Sequence, residues 1–254
     1  MCPEPEIDMT ESQYLTIPAL DKTGRVIHAF TTRKNGLGGR NNGVRQPGDW
    51  IAVAQMFGVN PDRIVTANQV HGERIVVVDA DNYRGIRTVE ADAMITNIPG
   101  FAIGVETADC VPLLLLDPET PAVGAIHAGW RSTAKKIVEK AVKKMQDRFG
   151  SNPSRMVAAI GPAIGPECYE VDEPVMVRVR EAFSFWMYAA SSRGSNKWSL
   201  DLAGLNRMEL VQAGLDEKNI HSIGMCTSCR KDLFYSFRSE GRTGRMLSVI
   251  MIKP

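Results

Sequence analysis

Apolar positions along the chain come mostly in short continuous runs, and these set the expected elements. Val111–Leu116 and Ala122–Ile126 are the clearest pair, separated by Asp117–Pro121 with its two prolines. Runs in which every position is apolar suit strands buried on both faces, and the segment between reads as a turn. If the two strands pair antiparallel, Cys110 at the start of the first and His127 at the end of the second reach one end of a sheet. Further strands are expected at 25–30, 63–67, 74–79, 92–96, 101–105, 156–160, 220–225, 234–238 and 246–252. Pro99-Gly100 turns between 92–96 and 101–105, and the Gly- and Arg-rich stretch 239–245 joins the last two strands.

The period changes to three and four over Ser132–Phe149. There Ala134, Ile137, Val138, Ala141, Val142, Met145 and Phe149 mark one face, and lysines fill the other. Ser132 or Thr133 is expected to cap this helix and Gly150 to stop it. Shorter helices are expected over 49–57, with Asp49 as N-cap, from Asp172 and Pro174 through Met187, and from Asp201 to Gly214. Residues 1–14 read as a flexible N-terminal arm, 31–49 as a loop rich in Gly, Asn and Arg, and 191–198 as a polar loop. No repeat, low-complexity tract or linker divides the rest. Many strands with a few helices, mostly late, indicate an α+β fold: one domain over 15–254, with mixed β-sheets flanked by helices.

Composition narrows the function classes. The 254 residues are 44% hydrophobic and 23% charged, which is ordinary globular usage. A formal net charge of +1 predicts no general attraction to nucleic acid or to anionic membrane. No apolar run is long enough to span a bilayer, and the acidic start MCPEPEIDMTES is unlike a signal peptide, so a cytoplasmic location is the default. Five cysteines, an odd number spread widely, argue against a disulfide framework and for thiol or metal chemistry. Four histidines are too few for a multicopper oxidase centre within one chain.

Three residues are candidate metal ligands: His71, Cys110 and His127, separated by 39 and 17 positions. Brought together from three segments, they would bind zinc and leave a fourth position for water or substrate. Singly, each has a plain structural explanation: a turn residue, a small core residue, a satisfied core histidine. Cys110 and His127 alone also fit a nucleophile and its base. Asp109 could orient a ligand, shuttle protons, or serve as a buried structural carboxylate. Arg131, and Arg33, Arg40 and Arg45 in the 31–49 loop, are candidates for holding a phosphate or carboxylate. Cys226-Thr227-Ser228-Cys229 is a single CxxC and reads as structural, with no partner ligand nearby in sequence; Cys168 lies either near the site or in the core.

Short blocks then carry a resemblance. Asn68-Gln69-Val70-His71-Gly72, Ala91-Asp92-Ala93, Thr107-Ala108-Asp109-Cys110-Val111-Pro112 and Ile126-His127-Ala128-Gly129-Trp130-Arg131 occur in this order. Ile160-Gly161-Pro162, Cys168-Tyr169-Glu170-Val171, Leu200-Asp201-Leu202 and Thr243-Gly244-Arg245 follow. Together they resemble the YfiH-like laccase-domain family, also described as multicopper polyphenol oxidase-like, from about Gln69 to the C-terminus. The resemblance implies a single α+β domain in which His71, Cys110 and His127 bind one zinc ion (Zn2+), with copper the less favoured metal. Beside it, the residues themselves are read as Cys110, His127 and Asp109 for catalysis, and Arg131, Arg40 and Gln69 for substrate contacts.

The implied enzyme acts on purine nucleosides as a monomer or homodimer. It would phosphorolyse adenosine, inosine, guanosine and methylthioadenosine, with phosphate attacking C1′ while Arg131 or Arg40 holds it. It would also deaminate adenosine, with a zinc-activated water at purine C6. The N-terminal third departs from the family pattern: Asn41-Asn42-Gly43 and Gly48-Asp49 are present, but the family's Asn-Arg pair is missing. The alternatives are copper-dependent phenol oxidation, a metal-free cysteine hydrolase acting on a small molecule or peptidoglycan precursor, and a non-enzymatic binding protein.

Overall fold

Alternate residues of the buried strands point to opposite faces, and this builds a layered molecule. The computed structural model describes residues 14–34, 40–41, 44–45 and 47–254, and the side chains of 40, 41, 44, 45, 47–50 and 52 lie outside that description. The strands are β1 (Tyr14–Leu15), β2 (Val26–Thr31), β3 (Arg40–Asn41), β4 (Val44–Arg45), β5 (Ile64–Val65), β6 (Ile75–Val77), β7 (Ala93–Thr96) and β8 (Ala102–Thr107). They continue as β9 (Val111–Asp117), β10 (Ala122–Ala128), β11 (Val157–Ile160), β12 (Glu170–Asp172), β13 (Ala190–Gly194), β14 (Lys197–Leu200), β15 (Ile220–Ser222) and β16 (Met246–Ile252). The helices are α1 (Pro18–Asp21), α2 (Pro47–Phe57), α3 (Trp130–Ala134), α4 (Ile137–Phe149), α5 (Glu173–Ala182), α6 (Leu202–Gln212) and α7 (Phe237–Glu240).

One sheet has the order β1-β2-β16-β8-β5 and the other β15-β11-β9-β10-β7-β6. Both mix parallel and antiparallel pairs. Leu114 and Leu116 of β9 pack with Val123 and Ala125 of β10 against Val105, Phe30 and Ile250 of the other sheet. Leu113 and Leu115 face the other way, onto Val138, Ala141, Val142 and Met145 of α4 and Leu205 of α6. Behind the first sheet, Ala29, Val249 and Met251 pack on Val53, Ala54 and Phe57 of α2. The order of layers is therefore helix, sheet, sheet, helices, which is an α+β architecture. Each large apolar side chain so buried contributes on the order of 1.5–3 kcal/mol. No helix among the described residues is long and apolar enough to cross a membrane.

The expected β9–β10 hairpin is present, with His127 opposite Pro112 and Ala128 opposite Val111. Five expectations need correction. The helix expected through Met187 stops at Ala182, where Phe183 turns extended at φ −132°. The helix expected over 132–149 is two: Lys136 takes a left-handed φ of 62° between α3 and α4, and Ser132 and Thr133 lie buried inside α3. α2 begins at Pro47, so Asp49 sits inside its first turn instead of capping it. The polar segment 191–198 belongs to a hairpin, β13–β14, turned by Ser195 and Asn196 at φ 50° and 59°. Two successive positive φ values suit the right-handed twist of a tight hairpin. The strand expected at 234–238 is replaced by α7, because the Ser236 hydroxyl accepts from the Ser239 N–H and caps a helical turn there. Residues 92–96 and 101–105 do form strands, but Pro99-Gly100 sends β7 and β8 into different sheets. The expected arm lies outside the described residues except Tyr14, which pairs with Thr31 in β1.

Candidate metal centre

Three strands of one sheet converge on the site. β10 lies between β9 and β7, with Ile126 opposite Ala93 on one side and Ala128 opposite Val111 on the other. This brings Asp92, His127 and Cys110, all at or just outside strand ends, to one corner. His71 arrives from the connection between β5 and β6 in a left-handed conformation, φ 57°. One ligating atom each from His71, Cys110 and His127 lies within 4.8 Å of the others. Cys110 Sγ is 3.8 Å from His71 Nε2, and the two imidazoles meet edge to face with centroids 4.8 Å apart.

Asp92 organises both histidines. It is fully buried and accepts the His127 Nδ1–H at 2.7 Å. A carboxylate there fixes the proton on Nδ1 and turns Nε2 toward the cluster, the usual second contact of a metal-binding histidine. The same carboxylate accepts the backbone N–H groups of Val70 (3.2 Å), His71 (2.9 Å) and Gly72 (2.6 Å). The His71 turn is thus wrapped around the group that orients His127. Gly129 is the fourth fixed point: a Cβ there would sit 2.8 Å from His71 Cδ2 and 3.1 Å from Cys110 Sγ. Only glycine lets the backbone after β10 pass this close to two candidate ligands.

Electrostatics match that geometry. Burial alone would raise the Cys110 thiol, but the charge and hydrogen bond of His127, with His71 behind them, outweigh it and bring the thiol down to about 6. Burial would lower His127, but the Cys110 charge and the Asp92 hydrogen bond raise it to about 9. Burial also raises Asp92, yet its hydrogen bonds from His127 and the backbone hold it below the ordinary carboxylate value. Without metal, the corner therefore holds a thiolate beside an imidazolium. Binding a cation here displaces the imidazolium proton and leaves a soft sulfur and two nitrogens, a donor set suited to zinc or copper.

The other expected site residues divide. Arg131, Asp109 and Gln69 line the same cavity, of about 460 Å³, as the three candidate ligands. That is the size range of small-molecule sites. The polar atoms of Gln69 and Asp109 are already engaged. The Gln69 amide pairs reciprocally with the Glu106 main chain, 2.8 Å each way. Asp109, at φ 94°, accepts from the Thr227 hydroxyl and the Arg238 N–H, both at 2.6 Å. It ties the CxxC loop and α7 to the strand start next to Cys110, which makes it a positioning residue. The Arg40 and Arg45 side chains lie outside the described residues. Arg33, expected in an anion-holding loop, is instead paired with Glu240 at 2.9 Å.

Several residues of the site were not singled out from sequence: Asp92 and Gly129 beside the candidate ligands, and Tyr169, Phe237, Arg238 and Arg245 lining the cavity. Asp92, Tyr169, Gly129 and Arg245 lie inside the short blocks that carry the family resemblance, which was the available signal. Arg238 and Phe237 had none, because their segment reads as a strand. Burial, then the charges of Cys110 and Asp109, push the Tyr169 phenol up against the pull of Arg238 and Arg131, so it stays protonated. Cys226 and Cys229 have a neighbour after all: Cys168 Sγ lies 3.4 Å from Cys229 Sγ, and the three sulfurs sit within 4.8 Å. This sulfur group is joined to the first corner through Thr227 and Asp109.

Over residues 28–253 the chain matches the family described as multi-copper polyphenol oxidoreductase laccase. The chain belongs to this laccase-domain family. It is 36% identical over 247 residues to purine nucleoside phosphorylase YlmD of Bacillus subtilis (strain 168), covering 90% of this chain and 89% of that protein. It is 32% identical over 249 residues to adenosine deaminase RL5 of an unknown prokaryotic organism, covering 89% and 94%. The crystal structure of the Bacillus licheniformis hypothetical protein YfiH superposes with a TM-score of 0.89 at 31% identity, covering 96% of this chain and 98% of that one. The laccase-domain resemblance and the α+β fold expected from sequence are both borne out. The family description implies a metal, and in this laccase-domain chain the His–Cys–His corner is a donor set that fits one. His28 and His221 lie elsewhere: His28 Nε2 accepts the Ile17 N–H at 2.8 Å, and His221 is on β15, at the far edge of the sheet.

Proposed function

We propose that this protein is a zinc-dependent enzyme of purine nucleosides, with His71, Cys110 and His127 as the ligands. The observation that carries the reading is one buried carboxylate, Asp92, that accepts the His127 Nδ1–H and the His71 main-chain N–H and so brings both histidines to the Cys110 sulfur. Bound zinc would supply Lewis acidity and lower the pKa of a water toward ~7. The names of the relatives support nucleosides as the substrate class and support two reactions, phosphorolysis and deamination of adenosine. Asp92 keeps the His127 proton on Nδ1. Asp109 fixes α7, and with it Phe237 and Arg238, relative to Cys110. Phe237 is 56% exposed at the cavity and offers an apolar face to a purine. Two histidines at one corner support a single ion over a multicopper centre.

A second reading has one observation in its favour. The lowered Cys110 thiol beside a raised His127 is also the pairing of a cysteine nucleophile and its acid–base partner. One experiment separates the two. Chelator-stripped protein is expected to lose both adenosine deamination and phosphate-dependent base release, and to regain both with about one equivalent of zinc. Undiminished turnover in stripped protein, abolished by alkylating Cys110, would establish the metal-free thiol mechanism in its place.

A further inference from the structure

Two guanidiniums enter the cavity from α3 and α7. Arg131 stacks on Trp130, with 4.2 Å from the guanidinium carbon to the ring centroid. Arg238 lies over the Tyr169 ring at 5.2 Å, and its Nη1 donates to the Glu170 carbonyl at 2.8 Å. Its own backbone N–H is held by Asp109 at 2.6 Å. Among the described residues neither guanidinium has a carboxylate partner, and the Tyr169 hydroxyl has no hydrogen-bond partner. Both arginines lie close enough for their charges to act on the Tyr169 phenol, and all three side chains line the cavity of the His–Cys–His corner. The nearby Asp109 carboxylate forms no ion pair with either guanidinium: its two oxygens accept from the Thr227 hydroxyl and the Arg238 main-chain N–H.

Two positioned guanidiniums, which can only donate, and a phenol O–H with its hydrogen free to donate call for an oxyanion ligand with several acceptor oxygens. We propose that Arg131, Tyr169 and Arg238 form the subsite that holds inorganic phosphate for phosphorolysis. The inference rests on the nucleoside reading above and names the residues for its second substrate. In that reaction a phosphate oxygen forms the bond to C1′. The C1′–N bond to the base breaks, and the base leaves with the electron pair and takes up a proton. The guanidiniums hold the phosphate and balance its charge; they do not exchange protons.

The test is phosphate titration of the intact, nucleoside-free protein, followed by phosphorus NMR line broadening at constant ionic strength. The proteins are wild type, Arg131→Ala, Arg238→Ala, Arg238→Lys and Tyr169→Phe. The phosphate dissociation constant is expected to rise by about tenfold or more in each alanine variant, with partial recovery in Arg238→Lys and about threefold weakening in Tyr169→Phe. In turnover, KM for phosphate should rise in parallel, and KM for the nucleoside should change less. Circular dichroism checks that each variant is folded. Unchanged phosphate affinity in the folded arginine variants, or no phosphate binding by wild type, overturns the subsite. Arginine-dependent phosphate binding by a protein that turns over no nucleoside keeps the subsite and overturns the nucleoside reading. The two failures are therefore distinguishable.

Discussion

Two fully buried carboxylates, Asp92 beside the candidate ligands and Glu209 between α4 and α6, meet opposite surroundings. Asp92 accepts four N–H groups: three from the His71 turn and one from the His127 ring. Glu209 accepts the Glu139 N–H at 2.9 Å with one oxygen, and the other oxygen has no partner. Burial raises both, but only Asp92 has enough donors to end below its ordinary value. Glu209, with fewer, is pushed up to about 7. The lesson is that burial alone does not set a carboxylate's charge; the N–H groups and charges aimed at it decide whether burial prevails. Asp92 is kept ionised where a negative charge orients histidines. Glu209 serves as a borrowed cap for α4, whose own N-cap, Lys136, offers no side-chain acceptor.

Removing the better-satisfied carboxylate should have the largest effect. Asp92→Ala leaves buried N–H groups unpaired, so it should destabilise the fold by about 3–5 kcal/mol and weaken metal binding by about 10–100-fold. Urea unfolding and chelator competition measure the two effects. Asp92→Asn, which keeps one acceptor oxygen, should fall between. Metal affinity unchanged in folded Asp92→Ala would mean that Asp92 does not orient the histidines.

Glu209 gives the next effect, and its sign is opposite to that of Asp92. Its folded value is raised from 4.5 to about 7, so its contribution to stability is fully present below pH 4.5 and is lost as pH rises through 7. At 1.36 kcal/mol per unit this amounts to about 3 kcal/mol. Glu209→Gln does not titrate. Its stability relative to wild type should therefore climb by about that amount between pH 4.5 and pH 8. Denaturant unfolding at the two pH values reads the difference; a constant gap would mean that Glu209 titrates in the folded protein as it does in the unfolded chain.

The smallest effect of the three belongs to Gly129. A methyl group there meets His71 and Cys110, so Gly129→Ala should displace one of them and weaken metal binding by about tenfold, with the far-ultraviolet circular dichroism unchanged. Wild-type affinity in this variant would show that His71 and Cys110 are not held against the Gly129 backbone.

Much of the fold could be read from the chain because its central strands are buried on both faces. β9 and β10 are buried at every position, and the runs Val111–Leu116 and Ala122–Ile126 within them carry no polar side chain. The candidate ligands were legible from residue type, since Cys110 and His127 flank those two strands. What carried no local signature stayed hidden. The break at Lys136 places a lysine at positive φ, which nothing in the helical period announces. β13 and β14 have largely exposed or half-buried faces, so no apolar alternation marks them. Cys168 reaches Cys229 from 61 positions away, and the role of Asp92 depends on pairing with a strand that begins 30 residues later. Those contacts are products of topology.

The account stands most directly on the metal content of protein purified without added metal, measured by mass spectrometry for wild type, His71→Ala and Cys110→Ala. It predicts about one zinc per wild-type chain and near-complete loss in both variants while they remain folded. Several copper ions per chain, or wild-type zinc content in Cys110→Ala, would contradict it.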